Sequence, residues 1–94
     1  MNQSGMEHST QVTILNRYGL HARPAAEFVK LANRFAAEVW IAKDEVEVNG
    51  KSIMGVMMLA AECGSLVAIR ASGDDAREAV EALAQLVTDG FGEE

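Results

Sequence analysis

The sequence predicts an α+β fold in which three helices cover one face of a four-stranded antiparallel sheet, in the order β-α-β-β-α-β-α. Two observations support this prediction. Segments of β-branched or alternating residues take turns with segments of helical apolar spacing, and 94 residues that are 49% hydrophobic suit one modest core. We therefore expect a single domain over residues 11–94, preceded by a flexible tail over residues 1–10 that contains His8.

The first strand and the first helix are predicted on either side of a glycine loop. Residues 12–15 are apolar and β-branched, which is typical of a strand, and the loop that follows ends at Gly19. A helix is predicted from Pro24 because proline suits a first helical turn. Apolar residues then recur at helical spacing, namely Ala25, Phe28, Val29, Ala32 and Phe35.

The middle of the chain predicts a hairpin and a second helix. Residues 39–42 and 45–48 read as strands joined at Lys43-Asp44, and the second of them alternates acidic with apolar residues. Ser52 then precedes the apolar segment 53–61. Because serine is a favourable N-cap, this segment is predicted to be helical.

The last part of the chain predicts a fourth strand and a third helix. Residues 65–71 are strand-like, and the segment 72–75 offers a turn and a helix cap. The helix that follows stops near Gly90 and places five residues on one stripe: Ala76, Ala79, Val80, Leu83 and Val87. The acidic end at residues 92–94 is expected to be solvated.

Charge and cysteine content argue against several classes of function. The net charge is -6, from 14 acidic and 8 basic residues, so the chain lacks the positive charge that nucleic-acid binding requires. The single cysteine, Cys63, excludes a disulfide within the chain and lacks metal-ligand spacing to His8 or His21. We expect a free, half-buried thiol, and neither a metal site nor a nucleic-acid partner.

Membrane insertion and secretion are not expected from the sequence. The longest apolar run, residues 53–61, is far shorter than the ~20 residues that a membrane-spanning helix needs. The first ten residues lack the basic region and the apolar stretch of a secretory signal. These features predict a cytoplasmic protein.

The segment GLHARPAA, residues 19–26, predicts a phosphoryl-accepting site. His21 precedes Pro24 and so lies at a helix N-terminus, where unpaired N–H groups favour an anion. The positive end of a helix also disfavours an imidazolium ion, which favours the neutral, nucleophilic ring. Arg23 could donate paired hydrogen bonds to phosphoryl oxygens. The alternative is an ordinary surface histidine beside a helix start.

Two separated motifs, GLHARPAAEFVKLA and KSIMGVM, resemble the HPr family of bacterial histidine phosphocarriers, and the likeness covers about residues 11–91. The resemblance implies the open-faced sandwich of that family, phosphorylation of His21 on Nδ1, a phosphate contact from Arg23 and a helix starting at Pro24. It also implies enzyme I as donor and the A components of enzyme II as acceptors. No cofactor is implied, and a monomer is expected.

The second motif contains Ser52 and the apolar residues that follow it. As an N-cap, Ser52 needs no further role and would contribute ~1 kcal/mol. The resemblance implies that it is also the serine modified by HPr kinase/phosphorylase, and that Ile53, Met54 and Met57 form a docking patch for partners. Spacing alone fits a core role for these three residues equally well. Gly50 stands where some regulated HPr proteins have a larger residue.

Other functions remain open from the sequence. An NPr-type carrier of the nitrogen-related phosphotransferase branch shares the histidine motif, and the ending at residues 90–94 is similar to it. A ligand-binding or metal-carrying domain could share the same order of elements, because one fold serves unrelated functions. A pure interaction module would use the patch of Ile53, Met54 and Met57 and would not need His21.

Overall fold

The computed structural model describes residues 6–93 and confirms the predicted α+β order. The strands are β1 (Glu7–Thr13), β2 (Glu38–Lys43), β3 (Val46–Asn49) and β4 (Leu66–Ser72). The helices are α1 (Ala22–Ala32), α2 (Ile53–Met58) and α3 (Ala76–Thr88), and a 3-10 turn spans Gly90–Gly92. The strands form one antiparallel sheet in the order β1-β4-β2-β3.

The core lies on one face of this sheet. In β4, Val67, Ile69 and Ala71 are buried while the residues between them are partly exposed, so alternate side chains point to opposite faces. The predicted stripe of α3 is confirmed, since all five of its residues are buried against this face. From α1, the core receives Ala25, Phe28, Val29 and Ala32, whereas Phe35 lies beyond the end of the helix and packs at the edge of the core.

The first strand begins earlier than the sequence predicted. Residues 7–10, expected in a flexible tail, belong to β1, where His8 lies opposite Ala71 of β4. The strand has few apolar residues because it is an edge strand, and the Glu7 carboxylate is 2.8 Å from Arg70 Nη1 across the pair. The polar composition of residues 7–10 is why the sequence predicted a flexible tail here. Residues 1–5 lie outside the described part of the chain.

The second helix is shorter than predicted and ends at Met58 instead of residue 61. Ala60 adopts a φ of 51°, which a helix cannot contain. The ammonium of Lys43 lies 3.4 Å from the carbonyl oxygens of both Leu59 and Ala60, at the carbonyl end of the helix. The chain thus leaves the helix early enough for Ala61 to meet the loop that precedes α1.

Asp75 joins the start of α3 to the segment that follows α1. It occupies the N-cap position, as the sequence suggested, but its side chain does not cap its own helix. Its carboxylate instead accepts hydrogen bonds from the backbone N–H groups of Ala36 (2.9 Å) and Ala37 (2.8 Å). The Ala36 bond is the largest cause that holds the pKa of Asp75 below its ordinary value.

We expect Asp75→Asn to lower the stability of the protein more than Asp74→Asn, the neighbouring exposed control. Because the folded-state pKa of Asp75 is lowered, its stabilisation is present above the ordinary aspartate value of 3.8 and is lost as the pH falls through the lower folded value. The difference between wild type and Asp75→Asn in urea unfolding should therefore be constant near pH 7 and shrink below about pH 4. Equal unfolding midpoints for both variants at pH 7 would contradict this assignment.

Candidate functional site

The loop before α1 is held in place by a close approach of two backbone segments. Gly19 has a φ of +68°, and a Cβ on it would lie 2.3 Å from the carbonyl oxygen of Ala61, so a larger residue would force the two segments apart. The next residue, Leu20, donates its N–H to the same oxygen at 2.9 Å, and Gly19 N–H donates to Asn16 O at 3.1 Å. These contacts determine where the chain enters the helix at His21.

His21 is the N-cap residue of α1, and its imidazole is not used for capping. Its backbone is extended, its carbonyl accepts the Ala25 N–H at 3.0 Å, and its side chain makes no cap hydrogen bond. Pro24 lies in the first turn, as predicted, where its missing N–H leaves no unpaired donor, but the helix begins at Ala22, two residues before the predicted start at Pro24. The imidazole side chain is 42% exposed, so it is available to a partner from solvent.

A carboxylate that the sequence analysis did not select lies against the predicted pair. Glu93 Oε2 is 3.4 Å from His21 Nε2 and 3.6 Å from Arg23 Nε, while Glu93 Oε1 accepts a 3.1 Å hydrogen bond from Asn16 Nδ2. The expectation that this acidic end is solvated is wrong for Glu93, whose side chain is 14% exposed. The sequence feature that could have indicated this is Phe91, an apolar residue in the acidic, glycine-rich end, because it is expected to pack against the core.

The surroundings of Glu93 favour its ionised form. Burial acts to raise the pKa of Glu93, because it penalises the charged form. The hydrogen bond from Asn16 and the contacts with His21 and Arg23 act in the opposite direction and outweigh burial, so the pKa is lowered from its usual range. The carboxylate is therefore an anion at neutral pH, facing two potential cations.

These side chains line an open groove with two residues of the preceding loop. The groove is formed by Arg17, Tyr18, His21, Arg23, Gly92 and Glu93. The edge of the Tyr18 ring faces His21, with the ring centroids 6.1 Å apart and the planes at 90°. The Arg17 guanidinium lies 5.4 Å from the centroid of Tyr18. Sequence reasoning missed both loop residues because a loop has no periodicity to indicate which side chains converge.

The second motif lies in a different place from this groove. Ser52 is the N-cap of α2, as predicted, and its Oγ accepts the Gly55 N–H at 3.0 Å. Ile53, Met54 and Met57 are 43%, 72% and 41% exposed, which excludes the core role that their spacing allowed. Met58, which the sequence did not single out, is 75% exposed and extends the same apolar surface.

Gly50, two residues before Ser52, has a packing reason for its size. Its N–H donates to the carbonyl oxygen of Val39 at 2.7 Å, and a Cβ on Gly50 would lie 2.6 Å from Val39 Cγ1. A larger residue here would require that β2 side chain to move. The approach to Ser52 is therefore shaped by contact between this turn and the neighbouring strand.

The remaining candidate features give a correction and two negative findings. Cys63 is exposed and not half-buried as expected, and its Sγ lies 3.6 Å from the carbonyl oxygen of Leu15. Among residues 6–93, no group of three or more histidine, cysteine, aspartate or glutamate side chains is arranged to hold a metal ion. In the same part of the chain, no helix has the length and apolar character to cross a membrane.

Comparison with known sequences gives a consistent family. The family model described as "PTS HPr component phosphorylation site" matches residues 8–89. The phosphocarrier protein HPr of Neisseria meningitidis serogroup B is 46% identical over 82 residues, which cover 87% of this chain and 92% of the relative. The HPr-like protein Crh of Bacillus subtilis is 49% identical over 77 residues, which cover 82% and 91%.

Solved structures agree with this result. HPr-C-His from Thermoanaerobacter tengcongensis superposes with a TM-score of 0.89 at 47% identity, covering 93% of this chain and 98% of that one. HPr from Bacillus anthracis superposes with a TM-score of 0.83 at 51% identity, covering 86% and 96%. The match to the family model and the identity to curated relatives extend over most of the sequence, and this chain belongs to the HPr family of phosphocarrier proteins of the phosphotransferase system.

Proposed function

We propose that this chain accepts a phosphoryl group on Nδ1 of His21 from phosphorylated enzyme I and passes it to enzyme II A components for sugar uptake. The observation that carries the proposal is the exposed His21 imidazole at the N-terminus of α1, beside Arg23, in a chain of the HPr family. An exposed ring in an open groove is accessible to a histidine on another protein. The protein would act in the cytoplasm as an intermediate that other enzymes charge and discharge.

The transfer requires little covalent machinery from this chain. The N–P bond to the enzyme I histidine breaks as a new N–P bond forms at His21. In the second transfer, the N–P bond at His21 breaks as the phosphoryl group bonds to the acceptor. Such transfers depend on alignment and on stabilising the phosphoryl oxygens. Arg23, with a side chain that is 57% exposed, can turn its guanidinium toward those oxygens. No metal or organic cofactor is part of the proposal.

The apolar surface of α2 is the proposed docking patch for enzyme I and the enzyme II A components. Ile53, Met54 and Met57 are exposed on a helix that packs against α1, the helix that begins at the histidine. Methionine side chains are flexible and polarizable, so one surface can fit partners of different shape. Exposed apolar side chains grouped on one helix favour a contact surface.

Ser52 is the proposed regulatory site, modified by HPr kinase/phosphorylase. Its Oγ accepts one hydrogen bond from Gly55 N–H, and the residue directly precedes Ile53, the first residue of the docking patch, in the sequence. A phosphate there would place negative charge beside Ile53 and Met54. The expected effect is altered recognition by partners with little change in the fold.

Two other functions are each favoured by one observation. An NPr-type regulatory carrier is favoured by the sequence of the C-terminal segment, residues 90–94, and would also be phosphorylated on His21. A non-carrier interaction module is favoured by the exposure of Met54 and Met58 and would not need His21. We propose a monomer, although structural neighbours include an HPr described as a dimer and a Crh described as a swapped, intertwined dimer.

We expect wild-type protein incubated with enzyme I, magnesium and phosphoenolpyruvate to gain one acid-labile phosphoryl group by intact mass, and His21→Ala to gain none. His8→Ala is the matched control, because it removes the other histidine, which lies in β1 away from the groove. It should be phosphorylated like wild type. An acid-labile phosphoryl group on His21→Ala, or none on wild type, would refute the carrier function.

Ser52 allows capping and charge to be separated. Ser52→Ala should lower the free energy of unfolding by about 1 kcal/mol, because the Gly55 N–H loses its acceptor. Ser52→Asp keeps an acceptor and should preserve stability, yet slow phosphorylation by enzyme I because it adds charge at the docking patch. Ser9→Asp, which adds the same charge on the exposed face of β1, is the control. Equal phosphorylation rates for both aspartate variants would argue against regulation at Ser52.

A further inference from the structure

Glu93 is positioned by contacts of both its backbone and its side chain. Phe91 is 5% exposed, and it anchors the 3-10 turn on the core. Glu93 N–H donates to the carbonyl oxygen of Gly90 at 2.8 Å, and Glu93 Oε1 accepts from Asn16 Nδ2. The carboxylate is therefore held in the groove by the folded chain.

The orientation of the Asn16 side-chain amide is determined by the two hydrogen bonds that its Nδ2 donates. Its Nδ2 donates to the carbonyl oxygen of Gly19 at 2.7 Å and to Glu93 Oε1 at 3.1 Å, whereas its buried Oδ1 has no partner among the described residues. The flipped amide would place Oδ1 against two acceptor oxygens, which excludes that orientation. Asn16 is 1% exposed, so its unpaired Oδ1 is costly. Its Nδ2 links the loop at Gly19 to the Glu93 carboxylate.

The other carboxylate oxygen makes contacts that are loose. Glu93 Oε2 faces His21 Nε2 at 3.4 Å and Arg23 Nε at 3.6 Å, whereas charge-assisted hydrogen bonds are typically about 2.7–2.9 Å. Both basic side chains are far more exposed than the carboxylate. They can therefore turn from Glu93 toward an anion that arrives from solvent. The histidine nitrogen in contact is Nε2, which leaves Nδ1 for the phosphoryl group.

We infer that the Glu93 carboxylate is an internal counter-anion of the phosphoryl site: it pairs with His21 and Arg23 while His21 is unmodified, and it loses these contacts when the phosphoryl group arrives. The inference rests on the proposed phosphorylation of His21. A phosphoryl group and a carboxylate carry like charges, and one arginine cannot serve both at full strength. By stabilising only the unmodified form, Glu93 makes the phosphorylated form easier to discharge.

The first test uses inorganic phosphate as the probe, so it needs no enzyme I. Phosphate titrations followed by NMR of the His21 and Arg23 side chains would compare wild type, Glu93→Gln and Glu81→Gln. The last variant makes the same charge change on the exposed surface of α3. Removing an internal competitor of this kind should tighten phosphate binding by about two- to fivefold in Glu93→Gln relative to Glu81→Gln. Equal affinities in the two variants would overturn the inference.

The second test uses wild-type protein phosphorylated chemically with phosphoramidate, in which a P–N bond to ammonia breaks as the P–N bond to His21 forms. The side-chain amide signals of Asn16 and the backbone amide of Glu93 should shift on phosphorylation, because the carboxylate that Asn16 contacts loses its pairing with His21 and Arg23. Unchanged signals would overturn the inference. If phosphate binds more tightly to Glu93→Gln and the Asn16 and Glu93 signals shift, but enzyme I does not phosphorylate wild type, the proposed function alone is contradicted.

Discussion

The sheet buries side chains on one face only, and this asymmetry determines where the helices lie. Since β4 pairs with both β1 and β2, its buried residues form the middle of a surface that α1 and α3 must cover. Helix α3 starts beside the segment that follows α1 and returns toward the start of α1. Asp75 makes hydrogen bonds to that segment, and Glu93 contacts His21 at the opposite end. The two helices are thus tied at both ends.

The same packing assembles the site from distant parts of the chain. The loop at Gly19 rests on the Ala61 carbonyl, and no side chain could be tolerated at that contact without movement. The C-terminal segment reaches the loop because Phe91 is buried in the core. His21 and Arg23 therefore receive a carboxylate partner from Glu93, near the other end of the described chain.

Periodicity and motif resemblance predicted most of the fold and part of the site. The stripe from Ala76 to Val87 was readable because each residue repeats at helical spacing, and Ser52 was readable as a cap because capping is local. The start of β1 was missed because an edge strand pairs through its backbone and needs few apolar residues. Glu93 and the partners of Asp75 were missed because those contacts join segments distant in sequence, and no local pattern encodes them.

His21 and Ser52, the two proposed phosphorylation positions, differ in the contacts that a phosphoryl group would change. Ser52 Oγ is engaged in the cap of α2, so a phosphate there has to keep or replace a bond that stabilises the helix. The His21 ring has only long contacts with Glu93, and the helix it precedes does not depend on its side chain. A carrier has to load and unload repeatedly, which favours a residue whose modification leaves the fold unchanged. A regulatory serine can instead be coupled to local structure, because it is modified to change how partners bind.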